Sequence, residues 1–149
     1  MIHNVKKVLA PIDFSEPSMK AMASAWELVK EVEADELHLL HVVTPHHLLS
    51  IEALPVSSRE IAREAAMIEQ AEEELLRIKK ADLEDSKKVV TATSVGSPAI
   101  KVGDYAREHG IDLIVLSTHG RTSGDGVLLG GTTEKVLRHA SCAILVVRR

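Results

Sequence analysis

The residues best suited to chemistry fall in one stretch. Five of the chain's eight glycines lie between Gly120 and Gly131, and residues 1–95 have none. The stretch runs Ser117-Thr118-His119-Gly120-Arg121-Thr122-Ser123-Gly124-Asp125-Gly126, then Val127-Leu128-Leu129-Gly130-Gly131-Thr132-Thr133-Glu134. It follows an apolar strand pattern and runs into a helical one, so its far end is a helix N-terminus. Free N–H groups and the positive end of the helix dipole favour an anion there. Gly120 and the Gly130-Gly131 pair let backbone approach a ligand closely. Thr132 and Thr133 add hydroxyls, Arg121 a charge and His119 a polar ring. Two glycine turns separated by nine residues suit a clamp on a phosphate chain or, equally, a purely structural loop.

The familiar nucleotide signatures do not fit. Gly126 and Gly131 have P-loop spacing, but Thr132 stands where that motif needs lysine. Gly124-Asp125-Gly126 opens like a dinucleotide fingerprint, but Leu129 holds the third glycine position. No carboxylate pair marks the loop, Asp125 reads as a turn residue, and no nucleophile stands beside a base. A second candidate segment is Ala10-Pro11-Ile12-Asp13-Phe14-Ser15. Asp13 there suits a ligand contact, a part in holding a metal or, with Ser15, a helix cap. His41, His46 and His47 lack acidic or thiolate partners at ligand spacing, so His46 and His47 read as solvent-facing and no metal site is expected.

The elements that must position these segments alternate. Val5–Ala10 reads as a strand. Ser15-Glu16-Pro17 opens a helix with apolar residues at Met19, Met22, Ala23, Trp26, Val29 and Val32. Leu37–Val43 is a second strand, and residues 44–57 a surface loop. Ser57 and Glu60 form a capping box for a helix running to about Lys80. Its apolar stripe is Ile61, Ala65, Ile68, Ala71, Leu75 and Ile78. Lys88–Thr93 is a third strand. Ser97-Pro98 starts a third helix that Gly110 ends, and Asp112–Ser117 is a fourth strand. A helix over Thr132–His139 and a strand over Ala143–Val147 close the chain. Strict alternation with near-continuous apolar strands implies an α/β protein with a parallel sheet buried on both faces. Ligands of such sheets sit beyond the strands' carboxyl ends, at the topological switch point.

Composition narrows the function classes. The chain has 149 residues, 45% of them apolar, and a formal net charge of −4. Disorder and membrane insertion are not expected. Nucleic acid is not an expected partner either: the aromatics that stacking needs are only Phe14, Trp26 and Tyr105. Lys79-Lys80 and Lys87-Lys88 read as solvated element ends. Lone Cys142 reads as a small buried hydrophobe. Without an internal disulfide or a signal-peptide pattern, a cytoplasmic location is expected.

The chain resembles the universal stress protein family, and its ATP-binding branch in particular. That branch carries Gly-x2-Gly-x9-Gly-(Ser/Thr); this chain reads Ser117-x2-Gly120-x9-Gly130-Gly131. The match extends to Val8–Ser15, Leu39–Val43, Glu108–Val115, Thr133–Ala140 and Ile144–Val147. The resemblance implies one universal stress protein domain over residues 1–149. Its fold would be an open parallel five-stranded sheet with helices on both faces, Rossmann-like and adenine nucleotide alpha hydrolase-like, in strand order 3-2-1-4-5. It implies ATP or AMP as ligand, with or without magnesium. Pro11, Ile12, Asp13 and Val42 would lie at the adenosine end. Leu116, Ser117, His119, Gly120 and Arg121, with Gly130, Gly131, Thr132 and Thr133, would wrap ribose and phosphates. Ser117 in place of glycine, and Gly131 in place of Ser/Thr, depart from the pattern. A homodimer through the apolar edge strand Ala143–Val147 and a protein partner are implied too. Slow ATP hydrolysis or phosphotransfer, and a dimeric adaptor with an empty pocket, are the alternative readings.

Overall fold

The structure, a computed structural model, describes residues 4–45, 55–119 and 129–148. These form β1 (Lys7–Pro11), α1 (Glu16–Glu31), β2 (Glu36–Val43), α2 (Ser58–Asp82), β3 (Val89–Val95), α3 (Pro98–Glu108), β4 (Leu113–Ser117), α4 (Gly131–His139) and β5 (Ala143–Val147). The strands make one five-stranded sheet in the order β3-β2-β1-β4-β5, every pair parallel. This is the expected Rossmann-like α/β topology. Strand alternation splits the core into two layers. Val8, Ala10, Leu37, Leu39, Leu113 and Val115 pack against α1 and α2 residues such as Trp26, Val29, Leu75 and Ile78. Leu9, Leu40, Ile114 and Leu116 pack against Val102, Tyr105, Ala106 and Val136 of α3 and α4.

Local signals placed most boundaries. Ser15 caps α1, accepting from Ser18 N, with Pro17 in the first turn. Ser57 and Glu60 form the reciprocal capping box of α2. Gly110 follows α3 at φ +63°, the left-handed conformation glycine adopts without strain. Ser97 occupies the N-cap position of α3 but makes no side-chain cap bond. β3 runs to Val95 because its pairing with β2 continues from Leu37↔Val89 to Val43↔Val95. Met22 is buried and Met19 packs on the same core layer. Cys142 is only partly buried, against the other layer; burial holds its thiol above the usual range. Among the described residues, no helix is long and apolar enough to cross a membrane.

The stripe of α2 divides in two. Ala71, Leu75 and Ile78 are buried, whereas Ile61 is 60% exposed and Ala65 is exposed too. Helical period identifies a face; whether a surface opposes it depends on how far the helix extends along the sheet. Leu75→Ala should therefore lower unfolding free energy by about 2–5 kcal/mol through a core cavity. Ile61→Ala should stay within about 0.5 kcal/mol of the parent protein. Urea unfolding midpoints of the two variants check this.

Candidate functional site

A crevice opens where β1 and β4 part. Their pairing covers only Val8↔Leu113 and Leu9↔Ile114. On its other side β1 stays paired with β2 to Pro11↔Leu40, and Ile12 N still donates to Leu40 O at 2.8 Å. Successive strand N–H groups point to alternate sides. With Ile12 donating to β2, position 11 would donate towards β4, and proline has no N–H. Pro11 thus ends the β1–β4 ladder at the switch point. β4 meanwhile remains paired with β5 to Ser117↔Val147.

The turn after β1 is held by its own side chains. Asp13 Oδ1 accepts from Ser15 N at 2.9 Å and from the Ser15 hydroxyl. Ser18 Oγ donates to Ser15 O at 3.0 Å, tying the turn to α1. Phe14 is forced to φ +63° between them and packs on the His41 ring at a centroid distance of 4.6 Å. His41 Nδ1 donates to Ile12 O at 2.7 Å. The cap itself is Ser15; Asp13 braces that residue and also lines the crevice.

The opposite lip is the end of β4 joined to the start of α4. Thr133 Oγ1 donates to Ser117 O at 2.8 Å, and Gly130 N to Thr118 O at 2.6 Å. The Ser117 hydroxyl donates to His119 O, and His119 Nδ1 lies 3.0 Å from Thr118 Oγ1. Ser117, Thr118, His119 and Thr133 are all buried. The first intrahelical bond runs from Glu134 N to Gly130 O. The N–H groups of Gly131, Thr132 and Thr133 precede it, as helix geometry requires.

Together these lips enclose a crevice of about 480 Å³, within the range of small-ligand pockets. Nine of the proposed residues line it: Pro11, Ile12, Asp13, Val42, Leu116, Ser117, Gly130, Thr132 and Thr133. His119 and Gly131 are not among the lining residues. Gly120 and Arg121 lie outside the described residues, as do His46, His47 and Asp125. Sequence reading missed Met67 from α2, and Pro98 and Val102 from α3. Their apolar character was visible, but only the tertiary fold brings their helices to this end of the sheet. Among the described residues, no cluster of three or more His, Cys, Asp and Glu could hold a metal ion.

The family model described as the universal stress protein family matches residues 4–148. The chain belongs to this family. Universal stress protein MJ0531 of Methanocaldococcus jannaschii is 33% identical over 97% of this chain and 82% of its own length. The solved structure of MJ0577, from the same organism, is similar with a TM-score of 0.80 at 34% identity, covering 97% of this chain and 96% of that one. A universal stress protein solved in complex with cAMP shares the fold with a TM-score of 0.63 at 21% identity, over 98% of both chains.

At the two positions where this universal stress protein departs from the ATP-binding branch's loop pattern, the surroundings differ. The Ser117 hydroxyl is turned onto the His119 carbonyl. At Gly131 an added Cβ would meet nothing within 4 Å, and the backbone there is not left-handed, so this glycine meets no steric demand. The two threonines also separate. Thr133 is a buried strut, whereas Thr132 is exposed on the crevice side. Thr133→Val, which leaves the buried Ser117 carbonyl without its donor, should cost about 1–3 kcal/mol. Thr132→Val should stay within about 0.5 kcal/mol. Chemical denaturation without ligand distinguishes the two.

Proposed function

We propose that this universal stress protein binds an adenine nucleotide, ATP or AMP, between β1 and β4. It acts as a dimeric stress-response module in the cytoplasm and reports nucleotide occupancy to a protein partner. The observation that carries the reading is the pairing, in one crevice, of an aliphatic wall with the N-terminus of α4. The base rests on Ile12 and Val42, with Pro98 and Val102 behind it. Asp13, Leu116 and Ser117 face the ribose. The N–H groups of Gly131, Thr132 and Thr133 receive the phosphates; Gly120 and Arg121 are assigned to them by the family resemblance alone. The cAMP complex supports this to the extent that the shared fold admits an adenine nucleotide. Asp13 is the one carboxylate among the described lining residues, and Ser15 already engages it; magnesium would therefore arrive on the phosphates.

Calorimetry on the dialysed protein tests the reading. Saturable ATP or AMP binding is the expected result. Absence of binding, together with absence of co-purified nucleotide by mass spectrometry, overturns it and leaves the adaptor alternative. Gly131→Ser restores the hydroxyl of the family pattern in open space. One charge-assisted bond of about 1.5 kcal/mol should raise affinity about tenfold.

The dimer reading rests on β5. It is an edge strand of the sheet, with Ala143 exposed and Leu145 43% exposed. An apolar edge with unpaired backbone is a liability unless another strand covers it, and a second copy does so about a twofold axis. Light scattering should give a dimer at micromolar concentration. Leu145→Lys should give a monomer of unchanged circular dichroism.

A further inference from the structure

At the amino-terminal end of β2, away from the crevice, a histidine is built into the core. His38 is 3% exposed. Its Nε2 lies 2.6 Å from Glu36 Oε2, and its Nδ1 lies 2.7 Å from the Tyr105 hydroxyl. Glu36 is held below the usual carboxylate range, chiefly by its bond to His38. An ionised carboxylate only accepts, so Nε2 donates to Glu36 and Nδ1 accepts from Tyr105, the tautomer following from the partners. The chain Glu36–His38–Tyr105 thus crosses from β2 to α3. Tyr105 is stacked on His109 at 3.8 Å, and His109 Nδ1 donates to Tyr105 O at 3.0 Å. Lys7 of β1 also lies nearby, its Nζ 3.7 Å from Glu36 Oε2. Strand neighbours of His38 are the apolar Leu9 and Val90.

Charging His38 disrupts this arrangement. Both ring nitrogens then donate, so the Tyr105 hydroxyl must turn to accept, and its own hydrogen loses its acceptor in the core. Burial is the main cause that holds His38 below the usual histidine range; Glu36 opposes the shift, and His109 and Lys7 add to it. The sign follows. A released His38 takes up its proton near the ordinary value of about 6.5, and the docked one only at lower pH. The docked form is therefore fully favoured above about pH 6.5 and weakens as pH falls below it. α3 carries the effect to the crevice, because Pro98 and Val102 of the same helix form part of its wall. Val102 precedes Tyr105 by one helical turn, in the same core layer.

We propose that Glu36–His38–Tyr105 is a proton-sensitive latch that holds α3 on the sheet and couples acidification to weaker nucleotide binding. The coupling rests on the nucleotide reading above; the latch itself does not.

The test uses the full chain. Without ligand, imidazole titration by NMR and amide exchange of α3 relative to α1 are followed from about pH 8 to pH 5. His38 should charge at a lower pH than an ordinary histidine, and α3 should lose protection relative to α1 as the solution is acidified. His38→Gln keeps a donor and an acceptor but cannot charge, so it should abolish this pH dependence. Glu36→Gln removes the charge that supports the imidazolium, so it should steepen the dependence. A merely structural bond would shift protection equally at every pH. With ATP or AMP, affinity should fall further in the parent than in His38→Gln between about pH 7.5 and 5.5, by no more than about tenfold, the limit for one linked proton over the unit below about 6.5. Should His38→Gln fail to fold, the parent's titration and exchange still decide the latch. Protection of α3 that tracks α1 at every pH overturns the latch. Equal pH dependence of affinity in the two proteins overturns the coupling. Absence of binding at any pH overturns the nucleotide reading and the coupling with it, while ligand-free exchange still decides the latch.

Discussion

A parallel sheet offers its ligands only the place where adjacent strands send their chains in opposite directions, and here that place depends on one missing donor. Pro11 has no N–H to give β4, and the two strands separate after Leu9 and Ile114. Had the ladder continued as far as it does between β1 and β2, the crevice would be filled by paired backbone. Both lips follow from this separation. On one side the chain leaves β1 into a turn braced by Asp13, Ser15 and Ser18. On the other, β4 stays paired with β5 and hands the chain towards α4. The α4 N-terminus is tied back to β4 by Thr133 and Gly130. The cavity is thus lined by segments whose backbone is already fixed, which lowers the ordering cost of binding.

The fold was legible in the chain wherever the signal is local. Ser15, the Ser57–Glu60 box and Gly110 each act within a few residues, and each stands at the predicted helix end. Ser97 shows the limit of such signals. Its position was right, but the helix start at Pro98 holds without its side chain. Strand order was not legible from periodicity, which says that strands alternate with helices and not which strands are neighbours. The family resemblance supplied that order. The exposed half of α2 was not legible for a related reason: Ile61 and Leu75 share one periodicity, and only the finite reach of the sheet separates them.

At the site, residue types and spacing located the loop but not the division of labour within it. Thr132 and Thr133 look equivalent in the chain. A 100° step around α4 sends one hydroxyl to the Ser117 carbonyl and leaves the other residue exposed. His38 and Tyr105 gave no signal, because they stand 67 positions apart and each resembles an ordinary member of an apolar run. Met67, Pro98 and Val102 were invisible for the same reason: a wall residue needs only to be apolar, and most core residues are.

The charge balance bears on how such a site can select its ligand. The chain carries a net charge of −4, and no Lys or Arg is among the described residues that line the crevice. Attraction at long range is therefore a weak source of affinity for a polyanion. What remains is short-range: N–H groups at the start of α4, whose positions are set by the bonds to Ser117 and Thr118, and an apolar wall that excludes water from one side. On the proposed nucleotide reading, such donors reward an anion only at fixed positions relative to the wall, so the distance between base and phosphate would be the selected quantity. The two departures from the family loop fit this account. Neither Ser117 nor Gly131 alters a backbone donor; one hydroxyl is turned inward and the other is absent, so on that reading the backbone donors would still meet the anion with one side-chain contact fewer.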